Sequence, residues 1–141
     1  NNAILHKIRK SIMSFTNYLE TDVLKYAFTT DSTSRSTTWF TALYTVAPTD
    51  AGNDGTEVTT VGTGYARQAT AFAVTGNTAS NSAAEEFDVA TASYGTVVAV
   101  AIFDAVTGGN MLAFADLDVD KTIGIGDAFR IPAGDLDITL D

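Results

Sequence analysis

Apolar and polar positions change period along this chain, and each change marks an element. Over residues 1–12 (NNAILHKIRKSI), Ile4, Leu5, Ile8 and Ile12 recur at spacings that share one helical face, with Lys7, Arg9 and Lys10 elsewhere. Residues 17–28 repeat the helical spacing more firmly. Leu19, Val23, Leu24, Ala27 and Phe28 form an apolar stripe, and Asn17 followed by Glu20 supplies the N-cap and N3 pair of a capping box. The helix should stop near Thr29 and Thr30. Residues 29–38 (TTDSTSRSTT) are rich in side chains that compete for helical hydrogen bonds, so they read as a polar linker.

From Trp39 onward the period is two. Residues 39–46 predict a strand, closed by the turn chemistry of Pro48 and Gly52. A short strand over 57–61 and a Gly62-Thr63-Gly64 turn follow. Residues 65–74 form the longest alternating run, with Tyr65, Arg67, Ala69, Ala71 and Ala73 on one side and Gln68, Thr70, Phe72 and Val74 on the other. Residues 76–82 (GNTASNS) read as a loop and 86–89 as a short strand. Residues 96–103 are almost wholly apolar, as a strand covered on both faces would be. Thr107-Gly108-Gly109-Asn110 is a hairpin turn leading into a strand at 111–117. Short strands at 122–125, 128–131 and 135–140 complete the chain. So many turn-spaced strands, with no helical period between them, predict an antiparallel two-sheet β-sandwich, jelly-roll-like, behind an N-terminal helix and arm. The divisions are a basic arm (1–12), a helix and polar linker (13–38) and a β-sandwich domain (39–141). Met13-Ser14-Phe15 reads as a translation start, which would make the arm an upstream extension.

Charge sharpens those divisions. Residues 1–25 carry four basic and two acidic side chains, a net of +2. Residues 26–141 carry four basic and fifteen acidic ones, a net of −11. An acidic body repels phosphates, so no nucleic-acid partner is expected. No run approaches the ~20 apolar residues of a bilayer span, so no membrane partner is expected either.

The residue types needed for catalysis are scarce. Cysteine is absent and the single histidine, His6, lies in the arm, which disfavours Ser-His-Asp and Cys-His nucleophile systems. Gly62-Thr63-Gly64 and Gly124-Ile125-Gly126 lack the lysine and the strand–loop–helix setting of a phosphate loop. Asp116, Asp118 and Asp120 are spaced like the opening of a calcium loop, but Lys121 stands at the sixth position and Asp127 at the twelfth, where Gly and Glu belong. Acids two apart in a strand simply share its outer face. No catalytic residue, cofactor or metal is therefore expected, and the chain is expected not to be an enzyme. Tyr65 and Arg67, together on a face of small residues, are candidates for a subunit interface, because both types are enriched there.

Several segments together resemble a family of small bacteriophage virion proteins, described either as tail-fibre proteins or as capsid decoration (cement) proteins. They are residues 13–19 (MSFTNYL), 39–50 (WFTALYTVAPTD), 51–58, 64–68 (GYARQ), 76–83 (GNTASNSA), 94–104 (YGTVVAVAIFD), 108–113 (GGNMLA) and 133–140 (AGDLDITL). The resemblance covers most of residues 13–141, and it implies a structural role in the virion with no catalytic residues to carry over. Between its two locations, the absence of shaft-like repeats and the basic arm on an acidic body favour decoration of the capsid's outer surface. The expected partners are the major capsid protein and two further copies in a homotrimer. Contacts to the shell would come from Ile4, Leu5, Lys7, Ile8, Arg9 and Lys10. The alternative is a receptor- or glycan-binding module of the tail, acting through loops 76–82 and 107–110.

Overall fold

The computed structural model describes residues 2–5 and 13–140. As the period-two pattern predicts, the fold is mainly β, with antiparallel sheets consistent with a β-sandwich and one short helix near the N-terminus. Its strands are β1 (Asn2–Leu5), β2 (Ser14–Phe15), β3 (Phe40–Val46), β4 (Thr56–Glu57), β5 (Gln68–Ala69), β6 (Phe72–Thr75), β7 (Thr78–Asn81), β8 (Glu85–Glu86), β9 (Gly95–Phe103), β10 (Met111–Ile123), β11 (Asp127–Ile131) and β12 (Asp137–Thr139). The helix α1 spans Asn17–Phe28.

The strands group into three sheets. The largest runs β2-β10-β9-β3-β4, with β5 also on β3, and two three-stranded sheets run β1-β11-β8 and β12-β7-β6. Strand β9 is central, and the apolar run GTVVAVAIF is buried from Ala99 to Phe103 because both of its faces are covered. Val97, Val100 and Ile102 join Leu43, Leu117, Phe129, Ile131 and Leu136 in the main core. Ala42, Tyr44, Ala99, Ala101 and Phe103 build a second cluster on the opposite face. Strict alternation would put Val97 and Val100 on opposite faces. A register shift opposite them, between Asp116 and Lys121 of β10, lets both reach the same core.

Three local expectations change. Residues 76–82 are not a loop: Gly76 and Asn77 form a two-residue hairpin turn, Gly76 at φ +63°, and Thr78–Asn81 pairs with both β6 and β12. The run 65–74 is not one strand. Gln68–Ala69 pairs with β3 and Phe72–Thr75 with β7, the break falling at Thr70, whose amide donates to the Trp39 carbonyl at 2.8 Å. At the N-terminus, the helical face expected across Ile4 and Leu5 gives way to a strand. Asn2–Leu5 adds in parallel to Asp127–Ile131, whose outer edge would otherwise leave backbone groups unpaired, and a helix so short gains little alone. Lys7, Ile8, Arg9 and Lys10 lie outside the described residues.

Candidate functional site

Two regions concentrate the unusual side chains. The first is a guanidinium clamp beneath β3. Glu57 leaves the end of β4 and Arg67 comes from the segment before β5, so the turn at Gly62-Thr63-Gly64 folds the two towards each other. Arg67 Nε donates to Glu57 Oε2 and Nη2 to Oε1, both at 2.9 Å, a bidentate pair. Nη1 donates to the carbonyls of Ala105 (2.9 Å) and Gly108 (2.8 Å), tying down the 104–110 hairpin loop. The guanidinium carbon lies 3.6 Å from the centroid of the Phe103 ring, and Phe103 stacks on Tyr44. Tyr65 donates from its hydroxyl to Glu57 Oε2 at 2.6 Å and accepts from the Leu43 amide at 3.0 Å.

That arrangement leaves few polar atoms for anything else. Burial, and then the Glu57 carboxylate beside them, push the phenols of Tyr65 far up and of Tyr44 up to about 12. Neither offers an ionised oxygen near neutral pH. Tyr65 is only 3% exposed and the Arg67 side chain 8%. The subunit-contact expectation rests on a strict alternation that puts both on one face with three alanines. The structure instead turns both inward, because the alternation slips phase between Arg67 and Thr70, so their hydrogen bonds are made within the chain.

A second carboxylate has a contrasting setting. Glu85 is 3% exposed, and among the described residues no Lys or Arg forms an ion pair with it. Burial pushes its carboxyl up to about 7, against a hydrogen bond from Thr70 that partly offsets the rise. Thr70 Oγ1 in turn lies 2.6 Å from Thr41 Oγ1.

The other region is an apolar groove beside α1. Thr16, not Asn17, caps the helix. Its Oγ1 accepts from the Leu19 amide and donates to the Met111 carbonyl at 2.6 Å, so the cap is fixed by the body as well as by local sequence. Glu20 then falls one position beyond N3, and the capping box is not formed. The groove, of about 870 Å³, lies between α1, the linker and the β12-β7-β6 sheet. Its walls include Trp39, Phe72, Val74, Ile138 and Leu140, with Leu19, Val23 and Ala27 from the helix. No residue of α1 is buried: Leu24 is 59%, Tyr26 81% and Phe28 80% exposed. Sequence reasoning found the apolar stripe but not the groove, which is assembled from segments far apart in the chain.

The remaining candidates separate. Asp116, Asp118 and Asp120 lie on β10, and among the described residues no group of three or more His, Asp or Glu side chains could hold a metal ion. Of the two loops proposed for recognition, the first is the β6–β7 hairpin. The second is held by Arg67 and by Asp104, which accepts from the Asn110 amide at 2.7 Å. No described helix is long and apolar enough to cross a membrane.

Fold and site together define a β-rich structural module, braced inside by the clamp and open on one apolar face. The chain matches the family described as podophage GP4 fiber I protein gp80 over residues 14–139, and it belongs to that family. It is accordingly a structural protein of the bacteriophage virion. No curated protein matches it.

Proposed function

We propose that this chain is a non-enzymatic fibre component of a podophage, carried at the tail and assembled with further copies of itself. The observation that carries the reading is the match to a fibre-protein family, which runs from the first residue of β2 to the last of β12. The clamp supports a mechanical role: Glu57, Tyr65 and Arg67 spend their polar atoms on one another and on nearby carbonyls, rather than converging on an open cleft. No cofactor, nucleic acid or membrane enters the reading. Capsid decoration, with the arm bound to the major capsid protein, draws on the charge split between arm and body. Family membership favours the fibre over it.

Purified virions test this directly. Antibody labelling should fall on the tail, and mass spectrometry should count far fewer copies of this chain than of the major capsid protein. Label over the head, at a copy number approaching that of the shell, would move the role to decoration.

A further inference from the structure

We propose that α1 and the groove beside it are two halves of a head-to-tail contact, in which the outer face of one copy's helix seats in the groove of the next copy. The helix turns Leu19, Val23 and Ala27 towards its own groove. Leu24 and Phe28, one turn apart, fall on the opposite side of the helical wheel and stand in solvent. The chain thus carries an apolar knob and an apolar hole that cannot meet within one copy, because they lie on opposite sides of the same helix. A contact between two different patches is heterologous and propagates from copy to copy until rotation closes a ring.

Three further observations favour a second copy as the occupant. A helix of this length is marginal in water and draws its stability from tertiary packing, yet this one is fastened chiefly at its N-terminus and buries no residue. The extent is also right. With full side-chain areas of about 150–200 Å², the exposed parts of Val23, Leu24, Tyr26, Phe28, Val74 and Leu140 amount to roughly 600–750 Å². A standard interface of ~1,600 Å² is a little over half apolar, ~900 Å². Finally, copies with a net charge of −9 repel one another over most of their surface, whereas among the described residues the charged side chains lining the groove are Asp22 and Arg35, of opposite sign. The groove is where two such copies can approach without like-charge cost.

The test uses the full chain and two exposed substitutions, Phe28→Glu in the knob and Val74→Glu in the hole. Light scattering should find the unsubstituted chain in a closed assembly larger than a dimer. Each variant alone should be monomeric, with circular dichroism unchanged. Mixed, the two variants should form a 1:1 complex, since the first keeps an intact hole and the second an intact knob. An unsubstituted chain that stays monomeric or stops at a dimer overturns the proposal. So does a Phe28→Glu variant that assembles normally, a mixture that remains monomeric, or association only with a different virion protein.

Discussion

At the Glu57–Arg67 clamp a cation, a carboxylate, a phenol and an aromatic ring are all answered from within the chain, whereas along α1 a leucine, a tyrosine and a phenylalanine stand in water. Both regions use aromatic side chains, which are enriched at protein interfaces. What separates them is closure. The clamp is shut between the end of β4, the segment before β5 and the loop after β9, with β3 against them through Leu43 and Tyr44. The helix is fastened to the body chiefly at its N-terminal end. Residue type alone therefore does not locate a contact surface; the test is whether the side chain's partners already lie within the same chain.

The largest effect should come from opening the clamp. Arg67→Ala removes the bidentate partner of Glu57, two carbonyl contacts and the cover of Phe103, leaving a half-buried carboxylate with only the Tyr65 hydroxyl for a partner. A loss of about 3 kcal/mol is expected by denaturant unfolding. Arg67→Lys should recover only part of it, because an ammonium cannot match the planar fork. A loss below ~1 kcal/mol for the alanine variant would mean that the pair is no stronger than an exposed salt bridge.

Glu85 sharpens the comparison, being more deeply buried than Glu57 and, among the described residues, in no ion pair with a Lys or Arg. Its carboxyl is raised from an ordinary value of 4.5 to about 7 in the folded protein. Between those two values the folded state keeps a proton that the unfolded state has lost, so stability falls as pH rises, by up to about 1.4 kcal/mol per pH unit. The contribution is complete below 4.5 and gone once the pH has risen through 7. Melting temperature measured from pH 5 to pH 8 should decline, and Glu85→Gln should flatten the decline. A profile for Glu85→Gln identical to that of the parent chain would remove Glu85 as its source.

How much of this was legible in the sequence depended on how local each cause is. The strand at β9 was plain from residues 96–103, since an unbroken apolar run has one economical explanation. The helix was visible in its stripe, but its cap was misplaced by one residue because Thr16 is selected partly by the Met111 carbonyl, ninety-five positions away. The β7 strand was hidden because TASN carries few strand formers; it is held by pairing on both sides with β6 and β12. The hydrogen bonds that join Tyr65 and Arg67 to Glu57 are not legible, because alternation cannot reveal a phase slip between Arg67 and Thr70. The groove is the least legible feature, since its walls come from the beginning, the middle and the end of the chain. One hint was present: the stripe over residues 19–28 is too wide for a single groove, with Leu24 and Phe28 displaced from Leu19, Val23 and Ala27.

The smallest effect should fall at the joint between the two regions. Thr16 is fully buried, caps α1 and donates to the Met111 carbonyl, while its own amide bonds the Leu112 carbonyl and the Asn17 amide that of Asp50. Thr16→Ala deletes the hydroxyl contacts and leaves the backbone ones, so a loss of about 1–2 kcal/mol is expected. Its distribution matters more than its size. Amide exchange should quicken along α1 while the amides of β3 and β9 keep their relative protection, because the clamp does not depend on the helix. Thr16→Ser should restore the protection, since the hydroxyl is what the cap needs. If exchange quickens equally in β9, then helix and sheet unfold as one unit, and α1 is part of the body's stability rather than an appendage fastened at one end.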